Sequence, residues 1–179
     1  MKPGTVDRRR QFDVLFESHY DSVYRYCLRR LGAAEAEDAA AEVFAIAWRR
    51  SDQMPGLQVE RAWLLAVAYR VVGNHYRGRR RRARLVGRLA SISPSSDVAQ
   101  TDGDFRLVHL ALQALRPADR ELLRLASWDG LTREEIAEVM GITTNAVDQR
   151  LHRARARMKD RLERISQNEL RMGAKEASA

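Results

Sequence analysis

Side chains that can read the edges of DNA bases recur at helical spacing near the C-terminal end of the chain. Asparagine and glutamine pair with adenine, arginine pairs with guanine, and arginine also binds phosphate. On a helix with about 100° per residue, one side of residues 144–157 is apolar and the opposite side is mostly polar. This pattern predicts a major-groove recognition helix, with these candidate contacts: Thr143, Thr144, Asn145, Asp148, Gln149, Arg150, His152, Arg153 and Arg155. For Asp148 two interpretations are open, because its carboxylate can accept from cytosine N4 or repel phosphate.

The segment just before this helix has the signals of a helix-turn-helix. Thr132 and Glu135 have capping-box spacing, and a short apolar-faced helix follows them. Gly141 permits a tight turn, after which Thr143 or Thr144 can cap the second helix. An ordinary pair of antiparallel helices is the structural alternative to a DNA-binding unit.

A second cationic surface is predicted on an earlier helix that begins near residue 60. Arg70 and Arg77 share one stripe with small residues, and Trp63 borders it as a flat platform on which an unstacked base can rest. A run of arginines follows, in which residues 61–93 carry nine arginines and no acidic side chain. Such a run binds phosphate without specifying sequence. The alternatives are core packing for Trp63 and a solvated helix end for the arginines.

Composition supports binding to a polyanion at two places. The 179 residues carry a formal net charge of +8, and 29 of the 32 basic residues are arginine. The second basic block, residues 149–179, has nine basic and four acidic side chains. Arginine suits phosphates and base edges, although a GC-rich genome can produce the same bias.

Several classes of protein are disfavoured by the same composition. Cys27 is the only cysteine and the four histidines are scattered, so we expect no disulfide, no metal site and no cofactor. There is no apolar run of about 18 residues and residues 1–11 are polar, so we expect neither membrane insertion nor Sec-type secretion. The expected location is the cytoplasm.

The periodicity predicts an all-α fold with two small helical domains joined by a flexible linker. Apolar residues at i, i+3, i+4 and i+7 indicate helices throughout residues 12–82 and again in 105–165. Residues 83–104 are rich in serine, aspartate, proline and glycine, which is typical of a linker. Residues 1–11 are predicted to be an N-terminal tail, and residues 166–179 are predicted to be a frayed helix end and C-terminal tail.

Three segments in this order resemble the extracytoplasmic-function (ECF, group IV) sigma factors of bacterial RNA polymerase. Residues 37–49 resemble their acidic-aromatic helix, and the segment from Trp63 to the arginine run resembles their start-proximal promoter helix. Residues 129–155 are similar to their promoter-binding helix-turn-helix. The resemblance covers roughly residues 12–162. This chain departs from many relatives at Ala41, Arg70 and Asn74, where they carry glutamine, asparagine and aspartate.

The resemblance implies a role for each segment. One helix would dock on the β′ clamp helices of core RNA polymerase through Asp38, Glu42, Phe44 and Trp48. Minus-10 promoter DNA would be bound by Arg61, Trp63, Arg70, Asn74, His75, Arg77, Arg80 and Arg81, with a flipped base held in the 51–61 loop. The linker would run towards the active-site and RNA-exit channels, and the helix-turn-helix would read the minus-35 element. Further partners would be the β flap and an anti-sigma factor.

Two other functions share part of this evidence. A free-standing regulator would use the helix-turn-helix to bind an operator, but it leaves the acidic-aromatic helix and the arginine block without a role. An enzyme acting on nucleic acid would need a phosphate-binding glycine loop, metal ligands or paired catalytic carboxylates. No such set of catalytic residues is recognisable in the sequence.

Overall fold

The computed structural model describes residues 5–51, 60–86 and 103–176. Within these ranges the secondary structure is helical and contains no strand, which confirms the all-α prediction. The helices are α1 (Thr5–Leu31), α2 (Ala33–Arg49), α3 (Glu60–Val86), α4 (Gly103–Gln113), α5 (Pro117–Ser127), α6 (Arg133–Met140) and α7 (Thr144–Glu176). They fall into two compact units, one with α1–α3 and the other with α4, α5, most of α6 and α7.

The first unit buries one face of each of its three helices. Its fully buried side chains include Leu15, Val23, Tyr26, Val43, Leu64, Leu65 and Val71. Only Gly32 separates α1 from α2, and its φ of 83° lies in the left-handed region that glycine enters without steric cost. The chain therefore reverses direction in a single residue, which places α2 directly against α1.

The N-terminal boundary differs from the sequence prediction. Helix α1 begins at Thr5, so residues 5–11 continue the helix and do not form a tail. The reason is a tertiary contact: the Arg8 guanidinium donates to the Trp48 carbonyl at 2.8 Å and lies over the Trp48 ring at 5.1 Å. This contact anchors the added helical turns on α2.

The segment between the two units that can act as a linker is shorter at both ends than the sequence predicted. Helix α3 continues to Val86 and α4 starts at Gly103, so residues 83–86 and 103–104 are helical. The rest of the predicted linker, residues 87–102, lies outside the described residues, as does most of the 51–61 loop proposed to hold a flipped base.

The second unit is built around α7. Val147, Leu151 and Ala154 of this helix are buried, and α7 packs against α4 and α5. Helix α7 extends to Glu176, so the helical part of residues 166–179 is longer than the frayed end that the sequence predicted. Half-buried Leu162 and Ile165 continue the apolar side of α7 beyond the base-reading segment.

Candidate nucleic-acid interface

Local hydrogen bonds build the helix-turn-helix as the sequence predicts. The Glu135 amide donates to Thr132 Oγ1 at 3.2 Å, and the Thr132 amide donates to Glu135 Oε2 at 2.7 Å, which completes a capping box at the start of α6. Gly141 makes the turn with a φ of 65°. The Ala146 amide then donates to Thr143 Oγ1 at 3.2 Å, so Thr143 caps α7.

Helix α7 exposes the side that was predicted to read bases. Asn145, Gln149, His152 and Arg153 are exposed, opposite the buried Val147, Leu151 and Ala154. An open depression of about 470 Å³ is lined by Asp148, Gln149, His152 and Arg153. The Arg153 Nε donates to the Gln149 carbonyl at 3.1 Å, so its guanidinium starts from a defined position on this surface.

The other predicted minus-35 contacts lie at the edges of this surface. Thr144, Arg150 and Arg155 are exposed, and the Thr143 hydroxyl is engaged in capping. Asp148 is half-buried and forms an ion pair with Arg133 of α6, with 3.0 Å between Arg133 Nε and Asp148 Oδ1. Sequence reasoning missed Arg133, because nothing within α6 marks it as a partner of a residue on the next helix.

The predicted minus-10 contacts of α3 divide into exposed and packed residues. Arg70, Asn74, Arg77, Arg80 and Arg81 are exposed, and the Arg77 guanidinium donates to Asn74 Oδ1. Trp63 and Arg61 are half-buried. Arg61 Nε donates to Ser22 Oγ of α1 at 3.4 Å, so part of its donor capacity holds α3 against α1.

His75 faces α2. Its Nδ1 lies 3.0 Å from Glu35 Oε2, and its Nε2 lies 3.5 Å from Glu42 Oε2. Arg79 binds the same Glu35 carboxylate at 2.8 Å and donates to the Leu31 carbonyl at 2.7 Å. The DNA contact assigned to His75 stays a prediction, but in this structure the ring joins α3 to α2.

The ionisation of Glu35 reflects this cluster. Burial by itself raises the pKa of Glu35, but hydrogen bonds from Arg79 and His75 together with their charges outweigh burial, and the net result is a lowered pKa. The sequence did not indicate the link between Glu35 and Arg79, because these residues are 44 positions apart.

The predicted polymerase-binding residues of α2 are exposed, with one exception. Asp38 and Glu42 are exposed, and Trp48 is 37% exposed. Phe44 is only 3% exposed and packs against Phe16 of α1 at 4.8 Å between ring centroids. The structure therefore corrects the role of Phe44, which supports the surface from below. Phe16, which is 39% exposed, is an aromatic residue of this surface that sequence reasoning missed.

Among the described residues, no group of three or more histidine, cysteine or acidic side chains is arranged to hold a metal ion. None of the helices in the described ranges has the length and apolar character that a membrane crossing requires.

Comparison with known proteins identifies the class of this protein. Residues 15–82 match the family model for Sigma-70 region 2, and residues 105–158 match the model for Sigma-70 region 4. The first match spans most of α1–α3, and the second spans the helix-turn-helix. The two matches together define a sigma factor.

Two relatives show to which group of sigma factors the chain belongs. The ECF RNA polymerase sigma factor SigL of Mycobacterium tuberculosis is 30% identical over 146 residues, which cover 79% of this chain and 82% of SigL. The ECF RNA polymerase sigma factor BldN of Streptomyces coelicolor is 30% identical over 151 residues, which cover 80% of this chain and 57% of BldN. The chain belongs to the ECF family of RNA polymerase sigma factors, as the sequence resemblance implied.

A solved structure shows the same fold. CnrH of Cupriavidus metallidurans, determined in complex with the cytosolic domain of CnrY, superposes with a TM-score of 0.64 at 25% identity. The match covers 87% of this chain and 89% of the CnrH chain.

Proposed function

We propose that this chain binds core RNA polymerase and directs it to promoters with defined minus-10 and minus-35 elements. The observation that carries the proposal is the exposed side of α7, where Asn145, Gln149 and Arg153 lie opposite a buried apolar side in a capped helix-turn-helix. Amide and guanidinium groups in this arrangement can form bidentate hydrogen bonds with base edges in the major groove. Helix α7 is therefore the proposed minus-35 recognition helix.

Helix α3 is the proposed minus-10 element reader. Its exposed side carries Arg70, Asn74, Arg77, Arg80 and Arg81, and Trp63 is accessible enough at its half-buried position to offer a ring edge or face. Guanidinium groups position the phosphate backbone, and an aromatic ring can stack on an unpaired base. Helix α3 therefore combines the two chemistries that capture of an opened strand requires.

Helix α2 is the proposed docking site for the β′ clamp helices. Asp38 and Glu42 supply exposed carboxylates, and Trp48 supplies a partly exposed ring further along the same helix. Tryptophan is enriched among the residues that dominate binding energy in protein–protein interfaces. The β flap is the proposed second contact with core polymerase.

A protein inhibitor is the proposed regulator. CnrH, which shares this fold at 25% identity, was solved in complex with the cytosolic domain of CnrY. By that likeness, an anti-sigma factor holds this chain inactive in the cytoplasm, where the polymerase and the chromosome are located. The chain itself contributes recognition, and core polymerase contributes the catalytic step.

Transcription with purified components tests the proposal. Core polymerase plus this protein should initiate at defined positions on genomic fragments, whereas core alone should not. A free-standing regulator would instead bind a specific duplex without polymerase and would leave start sites unchanged. Absence of complex formation with core would contradict the proposal.

A further inference from the structure

Arg133 and Asp148 join the two helices of the helix-turn-helix. Arg133 is the first residue of α6, and Asp148 lies in the second turn of α7. Arg133 Nε lies 3.0 Å from Asp148 Oδ1, and Arg133 Nη1 lies 3.4 Å from Asp148 Oδ2. Both carboxylate oxygens therefore meet the same guanidinium.

The pair remains open to solvent and to a ligand. The Arg133 side chain is 65% exposed and the Asp148 side chain is 45% exposed. An ion pair this exposed contributes little to stability, so a purely stabilising role is a weak explanation for its presence. Asp148 also lines the depression on α7 together with Gln149, His152 and Arg153, whose side chains are proposed to face base edges.

Arg133 changes what the Asp148 carboxylate can do beside DNA. An isolated carboxylate on a recognition helix is repelled by phosphates, which is one of the two interpretations that the sequence left open. The adjacent guanidinium offsets that charge. A carboxylate has about four acceptor positions. Arg133 donates one hydrogen bond to Oδ2 and contacts Oδ1 as an ion pair, so acceptor capacity is left for a base.

We propose that Asp148 reads cytosine in the minus-35 duplex by accepting a hydrogen bond from its N4 amino group, and that Arg133 is the positioning residue. This inference rests on the proposed minus-35 role of α7. A carboxylate only accepts hydrogen bonds, so it is repelled by the acceptor atoms that guanine and thymine present in the major groove. Adenine places its N7 acceptor beside its amino donor, which leaves cytosine as the matching base.

The base preference of the holoenzyme tests this proposal. The wild-type holoenzyme is first used to find a promoter among genomic fragments, and each base pair of its minus-35 element is then randomised in turn. Wild type should favour cytosine at one position by about 5- to 150-fold in bound fraction. Asp148→Ala, which removes both acceptor oxygens, should lose that preference at the same position and keep the others. Asp160→Ala is the matched control, because Asp160 pairs with Arg164 and lies about two helical turns beyond Arg153, so it should change nothing.

Two variants of Arg133 separate positioning from stabilisation. Arg133→Gln should weaken the cytosine preference with the other positions unchanged, and Arg133→Lys should restore part of it. The exchange Arg133→Asp with Asp148→Arg keeps an ion pair between α6 and α7 but removes the carboxylate from α7. This double variant should fold, as judged by circular dichroism, and should lack the cytosine preference.

Each outcome decides between the proposals. Retention of the cytosine preference in Asp148→Ala or in the exchanged pair would overturn the role of Asp148 and leave the sigma function standing. Equal loss of affinity for all minus-35 sequences in these variants would also overturn the role of Asp148. That result is expected if the ion pair only holds α6 and α7 together. A wild-type holoenzyme with no minus-35 preference would instead overturn the proposed role of α7 itself.

Discussion

His75 of α3 and Glu35 of α2 are joined by a 3.0 Å contact between Nδ1 and Oε2. Arg79 binds the same carboxylate through its other oxygen, Oε1, at 2.8 Å. Glu35 thereby links the helix proposed to bind core polymerase with the helix proposed to bind the minus-10 element. A disturbance of this cluster should consequently reach both proposed surfaces.

The stability of the first unit should depend on the ionisation of Glu35. Its pKa is lower in the folded than in the unfolded state, so its contribution is fully present above the unfolded value of 4.5 and is lost as pH falls through the folded pKa. Glu35→Gln should lower the free energy of unfolding at neutral pH by about 1–2 kcal/mol and flatten this acid dependence.

Urea denaturation between about pH 3 and pH 7 measures this effect. A Trp128→Phe background leaves Trp48 and Trp63 as the fluorescent reporters, both in the first unit. Glu37→Gln, an exposed carboxylate on the same helix, is the matched control. Identical acid dependence in Glu35→Gln and wild type would contradict the prediction.

Phe44 and Trp48 should respond differently to truncation, although both belong to the aromatic part of α2. Phe44→Ala removes a buried ring and should cost about 3–5 kcal/mol of unfolding free energy. Trp48→Ala removes a partly exposed ring and should mainly weaken binding to core polymerase. Denaturation and a direct core-binding titration distinguish the two effects. If both variants lowered the unfolding free energy equally, the prediction that Phe44 is buried while Trp48 is partly exposed would be contradicted.

The capping box at the start of α6 should make a measurable local contribution. Thr132→Ala removes the acceptor for the Glu135 amide and should destabilise the helix-turn-helix by about 1 kcal/mol. Hydrogen exchange of peptides covering residues 133–140 should then be faster. Thr144→Ala is a suitable comparison, since Thr144 is exposed and Thr143 provides the cap of α7. An unchanged hydrogen-exchange rate in Thr132→Ala would contradict the predicted contribution of the capping box.

Cys27 should be unreactive in the folded protein. The side chain is buried, and burial raises the pKa of its thiol to about 11, against a smaller opposing effect of the Arg30 charge. Because the thiolate is the reactive form, a disulfide reagent at mildly alkaline pH should label the native protein slowly and the urea-unfolded protein rapidly. With a single cysteine in the chain, the signal has one source. Fast labelling of the native state would disprove this.

Gln149 and Arg153 should determine promoter choice with little effect on folding. Both side chains are exposed on α7, so Gln149→Ala and Arg153→Ala should keep the unfolding free energy within about 0.5 kcal/mol of wild type. Each should cost about 1–3 kcal/mol in discrimination at one minus-35 base pair. Transcription from a set of single-base promoter variants measures this. The same promoter preference in both variants would remove these residues from the reading surface.

Patterns within single helices were predictable from the sequence. The apolar side of α7, the capping box of Thr132 and Glu135, and the turn at Gly141 depend on residues at most four positions apart or on repeats of 3.6 residues, so the helical backbone alone defines them. The order of three recognisable segments also identified the family. These local features do not depend on which elements the helices pack against in the folded protein.

Contacts between helices were decided by the tertiary structure. The burial of Phe44, the attachment of Arg8 to Trp48, the His75–Glu35 contact and the Arg133–Asp148 pair join residues from 15 to 40 positions apart. Periodicity defines which side of a helix is apolar, but it does not define which side chain of another helix comes to lie opposite. That choice depends on how the helices cross and pack, and packing converted two of the predicted surface residues, Phe44 and His75, into links between helices.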